Sequence, residues 1–148
     1  MMTGTVQLHR VFTSTPEKIW RAFTQPDAWA RWLPPNGMTA HVYAMDVKVG
    51  GTYRMSFTNF TTQGEVFFGG KYLELVENET IRYTTSFEDP NLPGEMTMRV
   101  KIQAVSVGVE IHITQSGIPE MIPPEACYLG WQEGLRHLAR LVEPNIPG

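Results

Sequence analysis

From Thr39 to Thr114 the chain alternates apolar and polar positions with period two, the spacing of half-buried β-strands. Thr39 to Val47 reads as a strand, and Gly50-Gly51 turns the chain. Tyr53, Met55 and Phe57 then alternate with Arg54 and Ser56. Asn59 to Gly64 is a polar loop, and Glu65 to Val76 is a further strand carrying Gly69-Gly70, a signature of a bulge or sharp bend. Ile81, Tyr83, Thr85 and Phe87 alternate next, then Met96, Met98, Val100 and Ile102, then Val109, Ile111 and Ile113. Glu88 to Gly94 is a loop with two prolines. These segments predict antiparallel strands, each with one apolar and one polar face.

Both ends of the chain carry helical spacings, the N-terminal one after a further strand. Thr5 to Thr13 reads as one more strand, carrying Val6, Leu8 and Phe12. Ser14-Thr15-Pro16-Glu17 is a helix start, with a hydroxyl cap, proline in the first turn and an acid near the positive end of the helix dipole. Ile19, Trp20 and Phe23 form the apolar side of that helix, and Pro26 interrupts it. A second short helix with Trp29, Trp32 and Leu33 ends at Pro34-Pro35-Asn36-Gly37. At the C-terminal end, Tyr128, Trp131, Leu135, Leu138 and Val142 recur at helical steps between Pro123 and Pro144. Gln132, Glu133, Arg136 and Arg140 cover the other side, and Gly130 and Gly134 flank the stripe one turn apart. Such a pair of glycines marks a helix pressed close to a neighbour or one left beside a space. The apolar faces of the strands need a cover, and this helix is the element long enough to supply it. The expected fold class is therefore α+β: a curved antiparallel sheet wrapped around a long C-terminal helix, with two short helices after the first strand closing one end.

At 148 residues this reads as one domain, residues 1–148, large enough to fold without disulfide or metal staples. The formal charge of -3, without a Lys or Arg cluster, argues against a nucleic-acid surface and a polybasic membrane patch. No apolar run reaches the length of a membrane span, and no signal-peptide pattern opens the chain. Cys127 is the lone cysteine, so a reducing cytoplasm is the expected compartment. Eight Met, four Trp, seven Phe and five Tyr supply many large side chains able to fill irregular space.

The order of elements resembles the Bet v1-like, START-type helix-grip fold of the SRPBCC superfamily, and within it the activator-of-Hsp90-ATPase-like branch. Thr15-Pro16-Glu17-Lys18-Ile19-Trp20-Arg21-Ala22-Phe23-Thr24 resembles the opening helix of that branch, and Trp32-Leu33-Pro34-Pro35-Asn36-Gly37-Met38 its Trp-Pro-Gly segment. Asp46-Val47-Lys48-Val49-Gly50-Gly51-Thr52-Tyr53 resembles its Asp-x-Arg-x-Gly-Gly hairpin, with Lys48 where Arg is usual. Gly70-Lys71-Tyr72-Leu73-Glu74-Leu75 resembles the central strand, and Gly130-Trp131 with Leu135 and Leu138 the closing helix. The resemblance covers nearly the whole chain. It implies an apolar cavity between sheet and closing helix that takes lipids, polyketides, hormones or other hydrophobic molecules, and in some members catalyses cyclisation or dehydration.

Chemical motifs are sparse. His9, His41, His112 and His137 show no metal-ligand spacing and read as surface or boundary histidines, and no phosphate loop or dinucleotide fingerprint is present. Neither a metal nor a cofactor is expected. Cys127 reads as a small buried apolar residue. Glu65 is the weak catalytic candidate: facing inward it would be a lone carboxylate of raised pKa fit for general-acid work, although a solvated position is the favoured reading. Arg54 and Arg82 fall on outer faces, and Asp46 and Lys48 pair near the hairpin.

The leading reading is a binding module for a hydrophobic small molecule. The expected lining is Trp32, Tyr53, Met55, Phe57, Phe67, Tyr83, Thr85, Phe87, Met96, Met98, Trp131 and Leu135, with Tyr53, Tyr83 and Thr85 orienting the ligand. The loops at 59–64 and 88–94 are expected to edge the mouth. An enzyme using the same cavity, with Glu65 or a tyrosine as its ionisable group, is the alternative. A protein-interaction module ranks third. An Hsp90-type chaperone is the less expected partner, since the sequence shows no counterpart of the additional N-terminal domain of the eukaryotic co-chaperones. Self-association into a homodimer is a further expectation, through exposed aromatics and the outer sheet face.

Overall fold

The computed structural model describes residues 3–148. The chain runs β1 (Gly4–Phe12), α1 (Pro16–Thr24), α2 (Pro26–Trp32), β2 (Met38–Met45), β3 (Thr52–Asn59), β4 (Glu65–Val76), β5 (Thr80–Phe87), β6 (Met96–Val105), β7 (Gly108–Ile118) and α3 (Pro124–Val142). The seven strands form one antiparallel sheet in the order β1-β7-β6-β5-β4-β3-β2. Strands β2 to β7 are a meander. β1 joins its far edge by pairing with β7, from Gly4↔Ile118 to Phe12↔Val109. The two short helices carry the chain from one edge of the sheet to the other. The result is the α+β helix-grip fold expected from the order of elements.

The local signals act as anticipated. The Thr15 hydroxyl accepts from the Lys18 amide at 3.3 Å, Pro16 lies in the first turn, and Glu17 adds its acid there. α1 ends at Gln25, whose extended backbone also starts α2, so the two helices meet at a corner before Pro26. Gly50 turns the β2–β3 connection with φ 83°, a conformation that suits glycine. Gly69 and Gly70 leave no room for a side chain: a Cβ would strike the Tyr53 carbonyl in β3 and the Thr84 carbonyl in β5 respectively. At this tight passage the β4–β5 ladder is interrupted, and the Lys71 amide donates to Thr84 Oγ1 at 3.0 Å. The ladder shifts register between Tyr72 and Glu74, two residues beyond the glycine pair.

The core lies between the inner face of the sheet and the three helices. Val100, Val109, Ile111, Ile113 and Ile118 of the sheet meet Ile19 and Phe23 of α1 and Leu135, Leu138 and Val142 of α3. Tyr128 departs from the expected stripe: it is exposed and borders a surface groove with Leu8, His9 and Arg10 of β1. The other end of α3 is tied down: Ser14 Oγ donates to the Val142 carbonyl at 2.8 Å, and Lys18 Nζ donates to the carbonyls of Val142 and Pro144. These bonds satisfy orphan carbonyls of the last helical turn and set a positive charge at the negative end of the helix.

Candidate functional site

A cavity of about 220 Å3 lies between the sheet, α2 and the first half of α3. Each wall follows from a periodicity. β3 contributes Tyr53 and Phe57, β5 contributes Tyr83, Thr85 and Phe87, and β6 contributes Met96 and Met98, all at two-residue steps. β4 adds Phe68 and β7 adds Gln115. α2 lays Trp29 across the inner end, and the segment after it adds Leu33 and Pro35. α3 closes the remaining side with Cys127, Gly130 and Trp131. No Asp, Glu, Lys, Arg or His is among these lining residues.

Of the expected lining residues, Tyr53, Phe57, Tyr83, Thr85, Phe87, Met96, Met98 and Trp131 border the cavity. Four are placed elsewhere. Trp32 is buried beneath α1, its indole N–H donating to the Ala22 carbonyl at 2.8 Å and its ring edge-on to Phe23. Met55 is wholly buried in the core away from the space. Leu135 is one turn farther along α3 than Trp131 and borders a separate groove with Leu8 and Arg10 of β1. Phe67 is on the outer face of β4, where the Arg54 guanidinium lies 4.8 Å from its ring centre and Tyr43 packs beside it. Its neighbour Phe68 takes the inner position, opposite Met55.

Glu65 shares the outer face with Phe67. It is exposed, with Tyr43 Oη 3.5 Å from its carboxylate: the favoured solvated position is the one observed, and the inward placement of this weak general-acid candidate is corrected. Arg54 and Arg82 are on outer faces as expected, paired with Glu88 at 2.8 Å and Glu74 at 3.5 Å. Lys48 and Asp46 also pair, at 3.5 Å. The loops at 59–64 and 88–94 contribute no lining residue and adjoin the cavity through Phe57 and Phe87.

Trp29, Leu33, Pro35, Phe68, Gln115, Cys127 and Gly130 border the cavity without having been expected there. For Gln115 the signal was present. Val109, Ile111 and Ile113 point inward, and continuing that alternation for one more step puts Gln115 on the same face. Cys127 is half-buried at the cavity rather than sealed in the core.

The polar groups of this apolar space are few and largely neutral. Tyr53 Oη donates to the Thr84 carbonyl at 2.9 Å and shares a hydrogen bond with Thr85 Oγ1. Burial pushes the Tyr53 hydroxyl above its ordinary pKa, although the Thr85 bond opposes the rise. Burial does the same to Tyr83, more strongly, with Tyr53 and Tyr72 adding to it. It also raises the Cys127 thiol, against a hydrogen bond from Gln115. All three groups therefore keep their protons at neutral pH. Trp29 packs edge-on to Tyr53 and Tyr83, at 5.0 and 5.8 Å between ring centres, and its buried indole nitrogen has no hydrogen-bond partner. Trp131 Nε1 donates to Gln115 Oε1 at 2.8 Å, tying α3 to β7.

Elsewhere the histidines are peripheral. His9 and His112 stack across the β1–β7 ladder with ring centres 5.4 Å apart, and His112 meets Glu110. His137 meets Asn36 Oδ1 at 2.9 Å. Among the described residues, no group of three or more His, Cys, Asp or Glu side chains is placed to hold a metal ion. Among the same residues, no helix is long and apolar enough to cross a membrane.

The family model described as activator of Hsp90 ATPase homolog 1-like protein matches residues 13–143, from the end of β1 to just past α3. The chain belongs to that family. This Hsp90-activator-homologue-like domain is 50% identical to protein CV1439 from Chromobacterium violaceum, over 95% of this chain and 98% of that one, with a TM-score of 0.94. At lower identity the fold is shared with a protein from Rhodobacter sphaeroides (19% identical, 94% of this chain and 95% of that chain, TM-score 0.82). Protein MLL2253 from Mesorhizobium loti shares it too (24% identical, 93% and 96% covered, TM-score 0.71). No curated protein matches the chain.

Proposed function

We propose that this protein binds a neutral, hydrophobic small molecule in the cavity between the sheet and α3. The observation that carries this reading is the wall itself: mainly apolar side chains, aromatics and methionines foremost, line about 220 Å3 with no charged residue among them. An ionised ligand would lose its hydration there without a counter-charge, a cost that selects against it. At the packing density of protein interiors, this space suits on the order of ten non-hydrogen atoms, the size of a bicyclic aromatic and well short of a long-chain lipid. Edge-on rings at the inner end and methionines along one side favour a flat, apolar body. The catalytic alternative has less support, because Glu65 is outside the cavity and no Asp, Glu, Lys, Arg or His lines it to serve as a base.

Thermal unfolding against a panel of neutral mono- and bicyclic aromatics tests this. A binder at a hundred times its Kd adds about 2.7 kcal/mol by mass action, a clear rise in Tm. The rise should vanish in Gly130→Phe, which sets a ring at a position that now opens on free space. A panel in which no compound raises the Tm of the unaltered protein refutes the proposal.

A further inference from the structure

Gln115 is a buried amide in an otherwise oily wall, only 5% exposed. Its orientation is fixed by its neighbours. The Trp131 indole nitrogen is a donor only, so the oxygen 2.8 Å away must be the Gln115 carbonyl. The amide nitrogen then faces two sulfurs, Met96 Sδ at 3.2 Å and Cys127 Sγ at 3.8 Å. Both sulfurs border the cavity, and both are weak acceptors. The hold on Trp131 accounts for the carbonyl half of the side chain. It does not account for the NH2 half, which is desolvated and has no oxygen or nitrogen acceptor.

We infer that Gln115 is the specificity-determining residue of the cavity, and that its NH2 donates to a carbonyl-type acceptor on the ligand. This inference rests on the proposed small-molecule reading and narrows it. The ligand class becomes a compact cyclic ketone, lactone or quinone-like ring rather than a pure hydrocarbon. The N–H directed at Cys127, at 3.8 Å, is the freer of the two and is the one a ligand oxygen takes. Trp131 and the β7 backbone hold the amide before the ligand arrives, so the hydrogen bond forms without ordering a flexible side chain.

The probe pair is 1-tetralone and tetralin, which share a bicyclic carbon frame and differ by the carbonyl oxygen. Titrations followed by tryptophan fluorescence should show tetralone binding about tenfold tighter or more, the worth of one buried hydrogen bond that would otherwise go unmade. In Gln115→Met, which also removes the acceptor of the Trp131 indole, the ratio of tetralone to tetralin affinity should fall to about one whatever change the two affinities share, and measurable tetralin binding shows that the variant keeps its cavity. In the unaltered protein the Gln115 side-chain amide protons should lie farther downfield with tetralone than with tetralin, the direction a new hydrogen bond gives, a readout that needs no variant. Equal affinities for the two compounds, or a preference that survives Gln115→Met, would overturn the inference and leave the broader proposal standing. Failure of both compounds to bind, within a panel that yields other binders, also overturns the inference. Failure of the entire panel removes the broader proposal with it.

Discussion

Gly130 and Gly134 are one helical turn apart on α3, yet one faces open space and the other faces backbone. A Cβ on Gly130 would meet no atom within 4 Å, whereas on Gly134 it would lie 3.2 Å from the carbonyl oxygens of both Trp32 and Leu33. α3 therefore presses on the end of α2 at one turn and stands clear of the sheet at the next. Gly130→Ala should stabilise the protein by about 1 kcal/mol, the helix-propensity difference. Gly134→Val should destabilise it by about 1–3 kcal/mol through overpacking. Urea unfolding of the two variants decides this, and similar midpoints would show that the α2–α3 approach is not tight.

Ser56 Oγ is buried in β3 with no hydrogen-bond partner. Removing the hydroxyl releases a desolvation cost without creating a cavity larger than one atom. Ser56→Ala is expected to raise stability by about 1 kcal/mol. Equilibrium unfolding with a lower midpoint in the variant would count against an orphaned hydroxyl.

Tyr53, Tyr72 and Tyr83 form a buried cluster with ring centres 5.9 to 6.3 Å apart. Burial raises all three above the ordinary value of 10.0. Each hydroxyl holds its proton more tightly in the folded than in the unfolded chain. Their contribution to stability is thus complete below pH 10 and declines as pH rises beyond it. Alkaline titration should show their tyrosinate absorbance emerging together with loss of folded circular dichroism. Ionisation of all five tyrosines while the fold persists would contradict this.

On the outer face, Glu88 accepts from Arg54 Nε at 2.8 Å, and this bond holds its carboxyl below the ordinary 4.5. Whatever the pair contributes is present above that value and is lost as pH falls through the lowered one. The contribution is small because both side chains are about half exposed. Glu88→Gln should therefore be slightly less stable than the parent at neutral pH and equal to it in strong acid. A gap that widens on acidification would refute the assignment.

Fold and site differed in how far the chain's own pattern could reveal them. Alternation over Tyr53–Phe57, Tyr83–Phe87 and Met96–Ile102 is a local property, so those strands and their inward faces were readable directly. Phe67-Phe68 was not, because two adjacent aromatics satisfy either phase. The choice is made by pairing, which sets Phe68 against the inward Met55. Trp29 and Trp32 posed the same problem on a helix. Both are buried, and only the packing of α1 over Trp32 leaves Trp29 to face the sheet. Gln115 is within reach of the period-two rule, but its polarity breaks the run of apolar residues that marks the inner face of β7. In this cavity the departure from hydrophobicity carried the information.

The pairing of β1 with β7 has a consequence for how the molecule is made. Gly4 waits for Ile118, more than a hundred positions later, before it meets its neighbour across the ladder. At about 5–20 residues per second a ribosome leaves that first strand without its partner for on the order of 10 s. Such distant pairing also slows closure once the chain is free. The nascent β1 segment, with Val6 and Phe12 destined for the interior, spends that interval as an exposed sticky edge that cellular holdases are suited to shield.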